Sequence, residues 1–367
     1  MDALAKNGML NYAYLLKLIS AAINEAQPEE PEPGVNFGQV YKIACSHLVE
    51  NTAFYAVEKL KNKPEAGLFK KWQNKRNKAF HRNMTQRAEL ESIKSAFSLN
   101  GIEYLPLKGF PVCDLYPQSD YRFMSDLDIL VKDIKKADEI ITSLGYEPKE
   151  VGMHHHDEFS KPPFMYVEIH RDLVGADSDF YNYYKNIFDR AKSLGSCAYE
   201  LSHEDFYIYS IVHLENHYAK AGTGIRSISD LFLMNKKFLP GLDTAYIESE
   251  LRKLGLRDLR NLLSDIAEKW FKNNDFTDFS EAELRILFSG AYGTVENKIN
   301  AAKGDRGSFA FLMRRIFPTA KSMKWVFPWL KDYPFLLPWA YVYRIFRDGI
   351  GKRKKAAKEI RKLKQKN

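Results

Sequence analysis

Cysteine is scarce in this chain of 367 residues: only Cys45, Cys113 and Cys197 occur, far apart and with no paired spacing. That excludes a disulfide framework and a cysteine-built zinc cluster, and leaves reduced, buried thiols as the expectation. Long apolar runs are missing as well. The longest uncharged apolar stretch, about residues 334–343, falls far short of the ~20 residues a membrane-spanning helix needs. The first residues have neither the basic start nor the apolar run of a signal peptide, so a cytoplasmic location is expected. No internal repeat is present.

A basic body is also lacking, although the formal net charge is +8. Nine of the 55 basic residues and one of the 47 acids lie within residues 352–367, so the rest of the chain carries 46 of each. Attraction to a polyanion is therefore a property of the tail and not of the folded body.

What remains is a soluble globular composition long enough for two or three domains. Helical periodicity covers most of the first hundred residues. Leu10, Tyr14, Leu15, Leu18 and Ile19 recur at three- and four-residue steps, PEEPEPG at 28–34 reads as a linker, and a second run spans about 37–60. A third, 73–98, sets Phe80, Met84, Leu90, Ile93 and Phe97 on one stripe, expected to be core, and Asn100-Gly101 stops it.

Residues 102–131, IEYLPLKGFPVCDLYPQSDYRFMSDLDILV, hold the most explicit chemistry. Successive strand side chains project to opposite faces, so Leu127, Ile129 and Val131 can enter a core while Asp126 and Asp128 leave together by the other face. Two adjacent carboxylates are costly unless a cation lies between them. Residues 134–144 read as a helix ended by Gly145. In the strand FMYVEIHR, 164–171, Val167 and Ile169 face inward and Glu168 shares the outer face with His170, so a third carboxylate can reach the first two.

Three carboxylates on two strands can hold one or two Mg²⁺ ions, which bridge nucleotide phosphates and activate an attacking hydroxyl. Lys108 and the Gly109 backbone, at the end of the preceding strand where a helix N-terminus is expected, and Arg122 are candidate phosphate contacts. The loop 151–163 carries His154, His155 and His156. Three consecutive histidines cannot all face one metal from a regular element, so a mobile, solvated loop near the site is expected instead of a zinc site. Helical patterning resumes from 204 to about 288. There His213 and His217 share a face, without the glutamate placement of a metalloprotease helix. They read either as buried, hydrogen-bonded histidines or as the wall of a substrate cleft opposite the acids, and Arg226 with Asp230 reads as an i,i+4 ion pair. The segment 309–346 is rich in aromatics, with Trp325, Trp329 and Trp339. It reads as a helical cover for the core, or as an interfacial segment backed by the basic tail.

The order LKG, R-x-x-S-D-L-D-I-L-V, a helix ending in LGY, and V-E-I-H resembles the nucleotidyltransferase superfamily of the DNA polymerase β type. More closely, it is similar to the bacterial uncharacterised nucleotidyltransferase family, in which Lys-Gly stands where better-known members carry Gly-Ser. Leu107-Lys108-Gly109 has no hydroxyl at that turn, and lysine supplies charge in its place. The resemblance covers about residues 90–171 well and the later helices more loosely. It implies an α+β fold, a small mixed β-sheet core flanked by helical N-terminal and C-terminal regions. It implies two metals on Asp126 and Asp128, Glu168 as third ligand and base, and a nucleotide held by Lys108, Gly109, Arg122 and Ser125.

The resulting expectation is a Mg²⁺-dependent enzyme that moves a nucleoside monophosphate from an NTP to an unidentified hydroxyl or amine. Its regions would be a helical lead-in (1–100), a nucleotidyltransferase core (101–195), a helical substrate or lid domain (196–300) and an aromatic segment with basic tail (301–367). One rival is a non-catalytic protein of the same fold whose residues 352–367 bind RNA, a partner or an anionic membrane. A second is a metal-dependent phosphohydrolase, which needs only water as acceptor.

Overall fold

The computed structural model describes residues 3–152, 155–220 and 222–291, with several further positions between 323 and 343. His154, the basic stretch 352–367 and most of the aromatic segment lie outside the described residues.

The chain opens with α1 (Ala3–Ile23), whose Tyr14, Leu15, Leu18 and Ile19 are buried. The run read as one helix over 37–60 is two, α2 (Phe37–His47) and α3 (Glu50–Val57). Leu48 between them is left-handed, with φ 55°, and its N–H closes back on α2. The fourth helix, α4 (Ala66–Leu99), has 34 residues, a length of about 50 Å. Only part of its expected stripe is core: Ile93 and Phe97 are buried, whereas Phe80 and Met84 are exposed. The middle of α4 turns a polar face inward, because the loop it covers has backbone groups to satisfy. Asn83 donates to the Ser119 carbonyl and Gln86 to that of Met124.

A seven-stranded mixed sheet follows. Its strands are β1 (Tyr104–Pro106), β2 (Leu127–Val131), β3 (Glu147–Glu150), β4 (His156–Lys161), β5 (Met165–His170), β6 (Lys192–Gly195) and β7 (Ala198–Glu200), in the order β3-β4-β5-β2-β1-β7-β6. Strands β2 and β5 pair in parallel, while β1 runs antiparallel to β2 and β4 antiparallel to β5. The single turn α5 (Phe110–Cys113) follows β1, and α6 (Ile134–Ser143), capped by Asp133, connects β2 to β3. A short α7 (Tyr181–Tyr184) precedes β6. The helical stretch after 200 is α8 (His203–Lys220), α9 (Ile225–Lys237), α10 (Thr244–Lys253), α11 (Arg257–Phe271) and α12 (Glu281–Ser289).

The two sheet faces enter different cores. Leu127, Ile129, Val131, Val167 and Ile169 pack with Ile93 and Phe97 of α4 and Ile140 and Ile141 of α6. On the other side, Leu105, Leu107 and Leu130 join a larger cluster in which Leu15, Ile19 and Phe54 share space with Ile228, Leu233, Leu263 and Trp270. The helices before residue 100 and those after 200 are thus parts of one core, and between them they wall the polar side of the sheet. The architecture is α+β. Among the described residues no helix is long and apolar enough to cross a membrane.

Candidate active site

The register of β2 against β5 places Asp128 directly beside Glu168 and Leu130 beside His170, with Asp126 just before the strand begins. The apolar alternation of β2 dictates this. With Leu127, Ile129 and Val131 committed to the inner core, the intervening acids have only the opposite face. Asp128 is 4 % exposed and is held from two sides. The Lys108 Nζ lies 3.2 Å from its Oδ2, and the His170 Nε2 lies 3.2 Å from its Oδ1. His170 also approaches Glu168, at 3.3 Å.

These contacts divide the acids. Burial acts to raise the Asp128 carboxyl, but Lys108 and His170 override it and hold the group well below the usual carboxylate range. Asp126 goes the other way. Burial, then the charges of Asp128 and Glu168, push it up to about 6. Burial disfavours the charged forms of Lys108 and His170, yet the acids around them keep both more basic than usual.

Lys108 reaches Asp128 because the Leu107 N–H still bonds the Asp128 carbonyl, so the chain leaves β1 directly over the acids. Gly109 then turns with φ +108°, and a Cβ there would fall 2.5 Å from the Met124 Sδ, so only glycine fits. The helix expected after this turn is the single turn α5, whose Val112 and Cys113 N–H groups bond back to the Gly109 carbonyl. Ser125 donates to Asp126 Oδ1 at 2.9 Å. Arg122 borders the cleft, but its Nε donates to Asp230 Oδ1 at 2.9 Å, and the Tyr116 hydroxyl bonds the same oxygen at 2.7 Å. Asp230 is consequently the partner of Arg122, and Arg226, read in sequence as its i,i+4 partner, donates instead to the Phe123 carbonyl at 3.1 Å. The loop joining Lys108 to the acids is thereby fastened to α9.

The cleft has a volume of about 440 Å³. Lys108, Asp126 and Glu168 line one wall, and His213, His217 and Arg226 line the other. His213 and His217 meet through their Nε2 atoms at 3.0 Å. Burial, followed by the charges of Lys108 and His217, holds His213 well below the usual imidazole range and keeps it neutral. The hydroxyl of Tyr209, near Lys108, is pushed up to about 12 by burial.

The loop expected over 151–163 contains β4, and His156 begins that strand, paired with His170 across the ladder. Sequence reasoning missed it because its inward positions are Asp157 and Phe159. The buried Asp157 is compensated by Arg171 at 2.6 Å, a partner no local pattern reveals. His155, His156 and Glu158 thereby join the edge of the site.

A sequence model of the family described as "Uncharacterised nucleotidyltransferase" matches residues 33–272, more than half of the chain. The chain belongs to that family. Neither curated proteins nor solved structures give a match. In this nucleotidyltransferase family member the matched stretch takes in α2 to α11, and so includes both walls of the cleft. Family membership supports nucleotidyl transfer as a general class and leaves the acceptor open.

Proposed function

We propose that the protein is a Mg²⁺-dependent nucleotidyltransferase that moves a nucleoside monophosphate from an NTP to a hydroxyl or amine acceptor, releasing pyrophosphate. The observation that carries this reading is Asp128 beside Glu168 in the parallel register of β2 and β5, with Lys108 on Asp128 and Asp126 lining the same cleft of the matched region.

The residues fit Mg²⁺. All three donors are hard carboxylate oxygens, and all three line the same cleft. Asp126, Asp128 and Glu168 would hold the ion or ions. Bound there, Mg²⁺ supplies charge neutralisation for the phosphates and polarises the leaving group.

The chain's own groups perform the rest. Lys108 leaves Asp128 for the phosphate oxygens, a short move for a side chain already at the cleft wall. The acceptor oxygen or nitrogen forms its bond to the α-phosphorus as the bond to pyrophosphate breaks, and Glu168 receives the acceptor's proton. Arg226, His217 and the neutral His213 line the same cleft from α8 and α9, where they would orient the acceptor or the phosphates.

The test is calorimetric titration with Mg²⁺ and each NTP, wild type against Asp126→Ala plus Asp128→Ala. Saturable binding to the wild type with loss in the double variant supports the reading. Equal binding by both sinks it.

A further inference from the structure

The row of acids does not stop at Glu168. Across the sheet Asp128 pairs with Glu168, Glu168 with Glu158 on β4, and Glu158 with Glu150 on β3. Like charges directly opposite one another on neighbouring strands are destabilising, so a row of four asks for compensation along its length. Lys108 and His170 answer at Asp128. Beside Glu158 and Glu168 stands an imidazole, His156. The next cross-strand pair on this face is His156 with His170, with ring centroids 4.9 Å apart.

The distances here suit an ion better than hydrogen bonds. His156 Nε2 stands 3.5 Å from Glu158 Oε1 and 3.7 Å from Glu168 Oε2, long for either bond. Donors about 2.1 Å from a tetrahedral ion are themselves about 3.4 Å apart. Ligand atoms of His156, Glu158 and Glu168 all lie within 4.8 Å of one another, as do those of His155, His156 and His170. His170 adds a second sign. Its ring is 4 % exposed, and its Nδ1 has no hydrogen-bond partner among the described residues.

We propose that the outer part of the acid row, where His156 faces Glu158 and Glu168 beside His170, is a second cation site that takes a divalent transition metal. Imidazole with carboxylate suits Mn²⁺, Co²⁺ or Zn²⁺, whereas Mg²⁺ prefers oxygen alone. Glu168 is shared with the Asp126 and Asp128 group, so the two positions adjoin. The site does not depend on nucleotide transfer.

The probe is Co²⁺, titrated into the chelator-stripped full chain in a large excess of Mg²⁺ and followed by visible d–d absorption. Expected is one Co²⁺ bound with an imidazole-containing spectrum, weakened at least about tenfold by His156→Ala and by Glu158→Gln. Glu158 is half-exposed, so its variant keeps the fold if His156→Ala does not. Wild type without Co²⁺ binding under excess Mg²⁺, or both variants binding like wild type, overturns the proposal. Mg²⁺–NTP titration of the same samples separates the two readings. Co²⁺ binding without nucleotide binding keeps this site and removes the transferase reading, and the reverse result removes this site alone.

Discussion

Acid should loosen the junction between the N-terminal helices and the helices that wall the cleft, and His47 is the reason. It ends α2, is fully buried, accepts the Ile225 N–H at Nδ1 (3.1 Å) and donates from Nε2 to the Leu287 carbonyl (3.0 Å). One neutral tautomer thus ties α2 to the start of α9 and the last turn of α12. Burial holds its pKa at about 4, against an ordinary 6.5. The sign follows from linkage: below pH 6.5 the unfolded chain binds a proton that the folded chain refuses, so stability present above 6.5 is lost as pH falls toward 4. The loss from this residue amounts to about 2 kcal/mol by pH 5 and about 3 kcal/mol by pH 4. Domains are stable by only about 5–15 kcal/mol, so this is a large share. The assay is urea unfolding at stepped pH, wild type against His47→Asn, which keeps an acceptor near Nδ1 but loses the donor to Leu287. At pH 7 the variant should be less stable by about 1–3 kcal/mol, the cost of an unsatisfied buried carbonyl. That gap should close as pH falls, because only the wild type pays for a proton. Parallel pH profiles, or an imidazole titrating near 6.5 in the folded protein, would refute the reasoning.

Three further outcomes are expected. Asp230→Ala strands Arg122, which is 11 % exposed, and should destabilise the fold by about 3–5 kcal/mol in urea unfolding, with Arg122→Met plus Asp230→Leu recovering much of it; a single-variant loss below about 1 kcal/mol would contradict the buried pair. Gly109→Ala meets both the positive φ and Met124 and should cost about 1–3 kcal/mol while weakening Mg²⁺–NTP binding, so unchanged binding and stability would show that the turn is not fixed. Asp138 is raised to about 7, by burial and then by Asp157. Its folded pKa exceeds the ordinary 3.8, so the fold binds the extra proton and stability falls as pH rises through that window; Asp138→Asn should flatten the decline, and an unaltered slope would sink the assignment.

How far the sequence spoke varied with how local the deciding interaction is. Residues 127–131 form β2 at the expected bounds, because apolar alternation and burial there agree. Glu168 and His170 share a face for the same reason. The helix expected over 134–144 is α6, capped by Asp133 and followed by Gly145 at φ +85°. Polar partnerships at long range were silent. The break at Leu48 carries no glycine or proline, and β4 hides its inward face behind a buried aspartate whose arginine is fourteen residues away. Phe80 and Met84 looked like core by spacing, yet the amides of Asn83 and Gln86 are what the adjoining loop requires. The pairing of Asp230 with Arg122 over Arg226 was equally unreadable, since 108 residues separate the two ends of the bond.

The most direct measurement of the central claim uses NTPs labelled at the α-phosphate or the γ-phosphate, incubated with the protein, Mg²⁺ and a whole-cell lysate. The account predicts that α-label enters a macromolecule or metabolite, that γ-label leaves as pyrophosphate, and that Asp126→Ala plus Asp128→Ala abolishes both. Free phosphate released from the γ-position with no α-label transferred would contradict it and leave a phosphohydrolase in its place.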